Sequence, residues 1–149
     1  MNRKFLASAL SLALVALSPL AAHAGGGRAY LPYLGVVSGT FYTTVTVANV
    51  TDRPVTVTAK FYDKTGTPLT TGVTTYDLPA SGELAGKRSA TFAISGLPAN
   101  YGFGVIDWTN RAGEDDPVAL VAHGVRQTTG TGGSTVSEYA IPVNGGVPF

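Results

Sequence analysis

Residues 41–63 read FYTTVTVANVTDRPVTVTAKFYD, two runs of strict alternation separated by a short polar break. Phe41, Val45 and Val47 share one face of an extended chain, while Tyr42, Thr44 and Thr46 share the other. The second run repeats the pattern, with Val55, Val57, Ala59 and Phe61 opposite Thr56, Thr58, Lys60 and Tyr62. Alternation with period two, rich in β-branched and aromatic residues, is the mark of a half-buried strand. Residues opposite each other in an antiparallel pair must face the same side of their sheet. A hairpin turning at Thr51-Asp52-Arg53 therefore pairs Val47 with Val57, Thr46 with Thr58 and Tyr42 with Tyr62. That register predicts an outer threonine ladder ending in two adjacent tyrosines.

The same pattern extends in both directions. Tyr30 to Val37 is expected to be a first strand, with Pro32 suited to an edge. Asp63-Lys64-Thr65-Gly66 is a turn, Pro68 to Leu78 a weaker strand, and Leu78 to Arg88 a loop punctuated by Pro79, Gly82 and Gly86. Ser89–Ser95, Tyr101–Trp108, Val118–Gln127 and Thr135–Val143 complete the set, the last following a Gly/Thr loop at Thr128–Ser134. No amphipathic helix is legible beyond residue 24. The expected fold is all-β, a single antiparallel β-sandwich of seven or eight short strands.

The sandwich follows an address label. Arg3 and Lys4, the apolar run Phe5–Leu17 and the small-residue site Ala22-His23-Ala24 form a secretory signal peptide over residues 1–24. The apolar run falls short of the ~20 residues that a spanning helix needs. Residues 25–149 then form the exported domain, with 25–37 an extended N-terminal arm or edge strand. Loss of Arg3 and Lys4 turns a formal charge of +1 into a small negative one. Such a balance excludes the dense basic face of a nucleic-acid binder. The destination is periplasmic, cell-surface or extracellular, and no further apolar span follows.

The 149 residues include no cysteine and only 13% charged residues, with 19 glycines. Disulfides, thiolate metal sites and cysteine nucleophiles are excluded, so stability must come from packing, strand pairing or association. Beyond residue 24, His123 is the single histidine, alternating with the face of Leu120 and Ala122, and no G-x-S-x-G elbow accompanies it. No cofactor motif is present. Hydrolysis, lacking a nucleophile–base pair, is the least supported class.

Binding is a better match to the residues. Trp108 closes a strand beside Glu114-Asp115-Asp116, where a sugar ring can stack on the indole while Asp115 and Asp116 accept its hydroxyls. Tyr42 and Tyr62 offer a second aromatic platform. The acidic triplet also suggests oxygen ligands for Ca²⁺, but it lacks alternating EF-hand spacing, and a solvated turn is the simpler expectation. Thr44-Val45-Thr46 and Thr56-Val57-Thr58 look like ice-binding T-x-T rows, an idea that common β-propensity undercuts. Phe149 matches the last residue of many outer-membrane barrels, yet Pro142, Gly145, Gly146 and Pro148 break the continuous strand such barrels require.

The run TTVTVANVTDRPVTVTAKFYDKTGTP, residues 43–68, resembles bacterial exported β-sandwich domains. With Leu78-Pro79-Ala80, Asp116-Pro117-Val118 and Tyr139, its strand pattern is also similar to the sensory rhodopsin transducer family. That resemblance implies a small antiparallel sandwich that assembles into oligomers. The export signal sets this chain apart from a cytoplasmic photoreceptor partner. The sequence thus predicts a non-enzymatic, structural or adhesive surface subunit. Copies would self-associate through strand edges, with Tyr30, Leu31, Tyr33 and Leu34 carrying the contact. The alternative is a carbohydrate-binding module that engages an extracellular glycan through exposed aromatics.

Overall fold

A computed structural model of the protein describes residues 25–37, 40–97, 101–129 and 135–149. The expected signal peptide lies outside the described residues, as does most of the Gly/Thr loop. Among the described residues nine strands follow one another: β1 (Gly26–Gly35), β2 (Phe41–Asn49), β3 (Val55–Asp63), β4 (Val73–Tyr76), β5 (Glu83–Leu84), β6 (Ser89–Ile94), β7 (Tyr101–Thr109), β8 (Leu120–Thr129) and β9 (Thr135–Pro142). They form two antiparallel sheets, one ordered β1-β7-β3-β5 and the other β4-β6-β2-β8-β9. The fold is an all-β sandwich.

Alternation supplies the core. Ala29 and Leu31 of β1, Val57 and Phe61 of β3 and Ile106 and Trp108 of β7 are buried on the four-stranded sheet. Val45 and Val47 of β2, Phe92 and Ile94 of β6, Leu120 of β8 and Ile141 of β9 are buried on the five-stranded sheet. The Phe61 and Phe92 rings, one from each sheet, meet edge to face with centroids 5.8 Å apart, an arrangement favoured by the ring quadrupoles.

The expected β2–β3 hairpin does not form. β2 pairs with β6 and β8, setting Val47 opposite Ala90 and Ala122, whereas β3 pairs with β7 and β5, setting Val57 opposite Trp108. Val47 and Val57 do both face the core, but from opposite sheets. Parity constrains residues within one sheet; two facing sheets satisfy the same apolar alternation equally well. Asn49, 2% exposed, builds the crossing between layers. Its Nδ2 donates to the Arg53 carbonyl (2.7 Å) and, across the sandwich, to the Leu84 carbonyl (3.1 Å). Its Oδ1 accepts from the Thr51 amide (2.9 Å) and hydroxyl (2.8 Å). A buried amide satisfied on both ends is a strong positional constraint.

The turn after β3 is formed as expected. Asp63 Oδ1 accepts from the Thr65 amide and hydroxyl and from the Thr67 amide, and Gly66 adopts φ 85°. Those donors hold the Asp63 carboxyl below its ordinary pKa, the Thr65 hydroxyl contributing most. Elsewhere the strands are trimmed: β4 occupies only Val73–Tyr76 of the weak strand expected at Pro68–Leu78, and the expected loop Leu78–Arg88 contains the two-residue β5.

Candidate functional site

The outer face of the four-stranded sheet gathers most of the aromatic surface. β7 lies between β1 and β3, and its register sets Val105 between Tyr30 and Lys60, and Asp107 between Arg28 and Thr58. One step along, Phe103 is opposite Tyr62, and their rings stack at 5.0 Å with 14° between planes. Tyr33 and Tyr101 form a second pair, 5.9 Å apart and tilted by 45°. Tyr30 and Tyr101 remain 57% and 51% exposed. A strip of five rings and Val105 thus runs across three strands.

A bulge in β1 makes the strip. Leu31 is opposite Gly104 and Leu34 is opposite Gly102, so β1 uses one residue more than β7 over this interval. Leu31 and Leu34 consequently both point into the core despite their odd separation, each 0% exposed. Pro32 occupies the bulge on an edge strand, where its missing N–H costs little. Of the four residues expected to carry assembly, Tyr30 and Tyr33 therefore stand on the outer face, while Leu31 and Leu34 are core residues and offer nothing to a partner.

One end of the strip is fixed by charge. Arg28 Nε approaches Asp107 Oδ1 at 2.5 Å and Nη2 approaches Oδ2 at 3.3 Å. Hydrogen bonding to Asp107 raises the guanidinium above its ordinary range. Because both groups are solvent-accessible, the pair fixes geometry more than it stabilises the fold.

The sugar sites expected from sequence do not assemble. Trp108 is 1% exposed and belongs to the core, since its parity on β7 matches Ile106 rather than Asp107. Asp115 is exposed on the loop, and Asp116 ion-pairs with Arg53 at 2.7 Å. Tyr42 and Tyr62 lie in different sheets and form no platform. The two T-x-T rows are likewise divided between the sheets. Thr46 instead meets Thr91, hydroxyl to hydroxyl, at 3.1 Å. Among the described residues no group of three or more histidine, aspartate or glutamate side chains is arranged to hold a metal ion. His123 is exposed opposite Thr46, on the outer face of the five-stranded sheet.

Two residues that sequence reasoning did not single out shape the aromatic surface. Phe103 is the stacking partner of Tyr62. Arg126 of β8 lies between the rings of Phe41 and Tyr139, with its guanidinium carbon 4.8 Å from each centroid. That double cation–π contact ties β2, β8 and β9 together. Single-chain signals for these contacts are lacking, because the partners are brought together by strand order.

Among solved structures, Thermotoga maritima 1070 resembles this chain with a TM-score of 0.51, over 78% of this chain and 90% of that one, at 14% sequence identity. That likeness is one of fold. No protein-family model and no curated protein matches the chain.

Proposed function

We propose that the protein is an exported, non-enzymatic surface subunit whose copies associate through the β1 edge and the tyrosine strip beside it. The observation that carries this reading is the pairing of a ten-residue edge strand with an exposed ring, Tyr30, on the same element. β1 bonds to β7 on one side only, leaving a row of backbone donors and acceptors along the other. The opposite edge of that sheet is the two-residue β5, too short to serve as a template. Exchange of a free N-terminal arm is disfavoured, because Gly26–Gly35 is already an integral strand of its own sheet. Edge-to-edge pairing of two β1 strands instead makes one continuous sheet and brings two aromatic strips side by side.

Light scattering on residues 25–149 tests the reading. Particles heavier than one chain are expected, and Tyr30→Lys, which places a charge on the exposed edge, should return them to monomers. A wild-type monomer, or an oligomer indifferent to Tyr30→Lys, would overturn association through this edge.

A glycan-binding role remains the second reading, supported by the exposure of Tyr30 and Tyr101. It rests on rings of the outer strip and no longer on Trp108, Tyr42 or the acidic loop. Binding on a glycan array that disappears in Tyr101→Ala while the fold persists would support it; an array without signal for the wild-type protein would remove it.

A further inference from the structure

Gly25, Gly26 and Gly27 open the extended N-terminal segment, and a Cβ on any of them would meet neighbouring atoms too closely. The Gly25 amide donates to the Glu114 carbonyl (3.2 Å), and the Gly25 carbonyl accepts from the Asn110 amide (2.7 Å). A Cβ on Gly25 would lie 2.6 Å from the Asp116 carbonyl oxygen and 2.9 Å from Asn110 Nδ2. On Gly26 it would lie 2.9 Å from the Trp108 carbonyl oxygen, and on Gly27 it would strike the Trp108 indole nitrogen. Glycine is required here by close approach of the chain, not by flexibility.

The loop that encloses Gly25 carries polar atoms with nothing to bind. Asn110 is 5% exposed, and neither its Oδ1 nor its Nδ2 has a partner. Glu114 Oε2 and Asp116 Oδ2 are enclosed and equally unpartnered. The neighbouring cations leave these two oxygens unpaired: Arg53 takes the other Asp116 oxygen, Oδ1, at 2.7 Å, and Arg111 turns to Glu83 at 2.7 Å. Enclosed carboxylate oxygens without a hydrogen-bond partner are costly, and native folds rarely leave them so. The residues that carry these three orphan acceptors are the ones that enclose Gly25, whose nitrogen already donates to the Glu114 carbonyl.

We infer that Asn110, Glu114 and Asp116 form the receptor for the α-ammonium of Gly25, a group that exists only after the leader is removed. The inference rests on the reading of residues 1–24 as a signal peptide cleaved after Ala24. A leader peptidase hydrolyses the Ala24–Gly25 bond with one water: the Ala24 carbonyl carbon gains the hydroxyl, and the Gly25 nitrogen gains the hydrogen. At neutral pH the new amine is largely protonated, since α-amino groups titrate near 7.7–8.0. A neutral amide with one donor becomes a cation with three. The Glu114 carbonyl already accepts from this nitrogen, and Glu114 Oε2, Asp116 Oδ2 and Asn110 Oδ1 are the acceptors for the added donors and charge. Processing therefore completes the fold electrostatically, and the leader-bearing chain carries an unfinished pocket.

The test compares three forms of the domain by thermal unfolding: residues 25–149 with a free Gly25 amine, the same chain N-acetylated, and residues 24–149 with Ala24 retained. The free-amine form is expected to unfold about 4 °C higher than either blocked form. Glu114→Gln should lower the midpoint of the free-amine form and leave unchanged, or raise, that of the Ala24-bearing form. Equal midpoints for free and acetylated wild-type chains would overturn the receptor without any mutant. So would a Glu114→Gln effect of the same sign and size in both backgrounds. The intact mass of protein recovered after export separates this from the leader reading. A chain starting at Gly25 supports both. Any other start removes the leader reading, and with it the role of processing, whatever the melting comparison gives.

Discussion

Trp108 contributes the largest fully buried side chain of the sandwich. Its truncation to alanine should destabilise the domain by about 3–5 kcal/mol, the usual range for removing a large aromatic ring from a core, as measured by urea unfolding. Asn49 acts by a different route. Asn49→Ala would remove the side-chain bond between the layers to the Leu84 carbonyl and release the Thr51 turn, a loss of about 1–3 kcal/mol. Equal urea midpoints for Asn49→Ala and wild type would refute its role as the bridge between layers. Asp63 supplies a pH signature. Its folded pKa lies below the ordinary carboxylate value, so its contribution is present above that value and fades as pH falls through the folded pKa. Asp63→Asn should therefore flatten the decline in unfolding midpoint below about pH 4, a slope readable from urea titrations at several acidic pH values.

At the scale of strands, the β1 bulge decides which side chains face outward. Deleting Pro32 would bring β1 into even step with β7 and leave Leu31 and Leu34 both facing the core, since two residues in place of three would then span Gly104 to Gly102. Leucine burial is kept, so stability close to wild type is the expected outcome of urea unfolding; a loss of about 1.5–3 kcal/mol, the cost of exposing one leucine, would refute this account of the register. Strand positions were legible because alternation is local: β2, β3, β6 and β7 begin and end within a residue or two of the expected limits. Strand partners were not, because Val45, Val47, Val55 and Val57 alternate identically whether their strands share a sheet or face each other. The candidate site inherited that ambiguity. Tyr62 was visible as an outward aromatic, but its neighbour is set by β3 pairing with β7, which brings Phe103 from 41 residues away in place of Tyr42. Trp108 was misplaced for a simpler reason: a tryptophan at a strand end beside carboxylates has the composition of a sugar site, and one step of parity separates that from the core.

Across the whole molecule, the two sheets present unlike outer faces. One carries the tyrosine strip, while the other carries Tyr42, Thr44, Thr46, Thr91 and His123. A subunit using the first face for assembly leaves the second free, and surface labelling of the assembled protein should protect Tyr30 and Tyr101 while Tyr42 stays reactive. Strand order has a further consequence, in time instead of space. β8 and β9 are the only strands consecutive in the chain that pair among those described; every other ladder joins strands separated by at least one element, and β1 waits for β7. Closing such long loops before any contact is rewarded makes folding slow, on the millisecond-to-second scale of other sandwiches. Refolding followed by the emission of Trp108 should show that slow phase, with no native-like signal until β7 has joined β1 and β3. If the chain is exported as proposed, this delay leaves a window in which the polypeptide is still extended enough to thread.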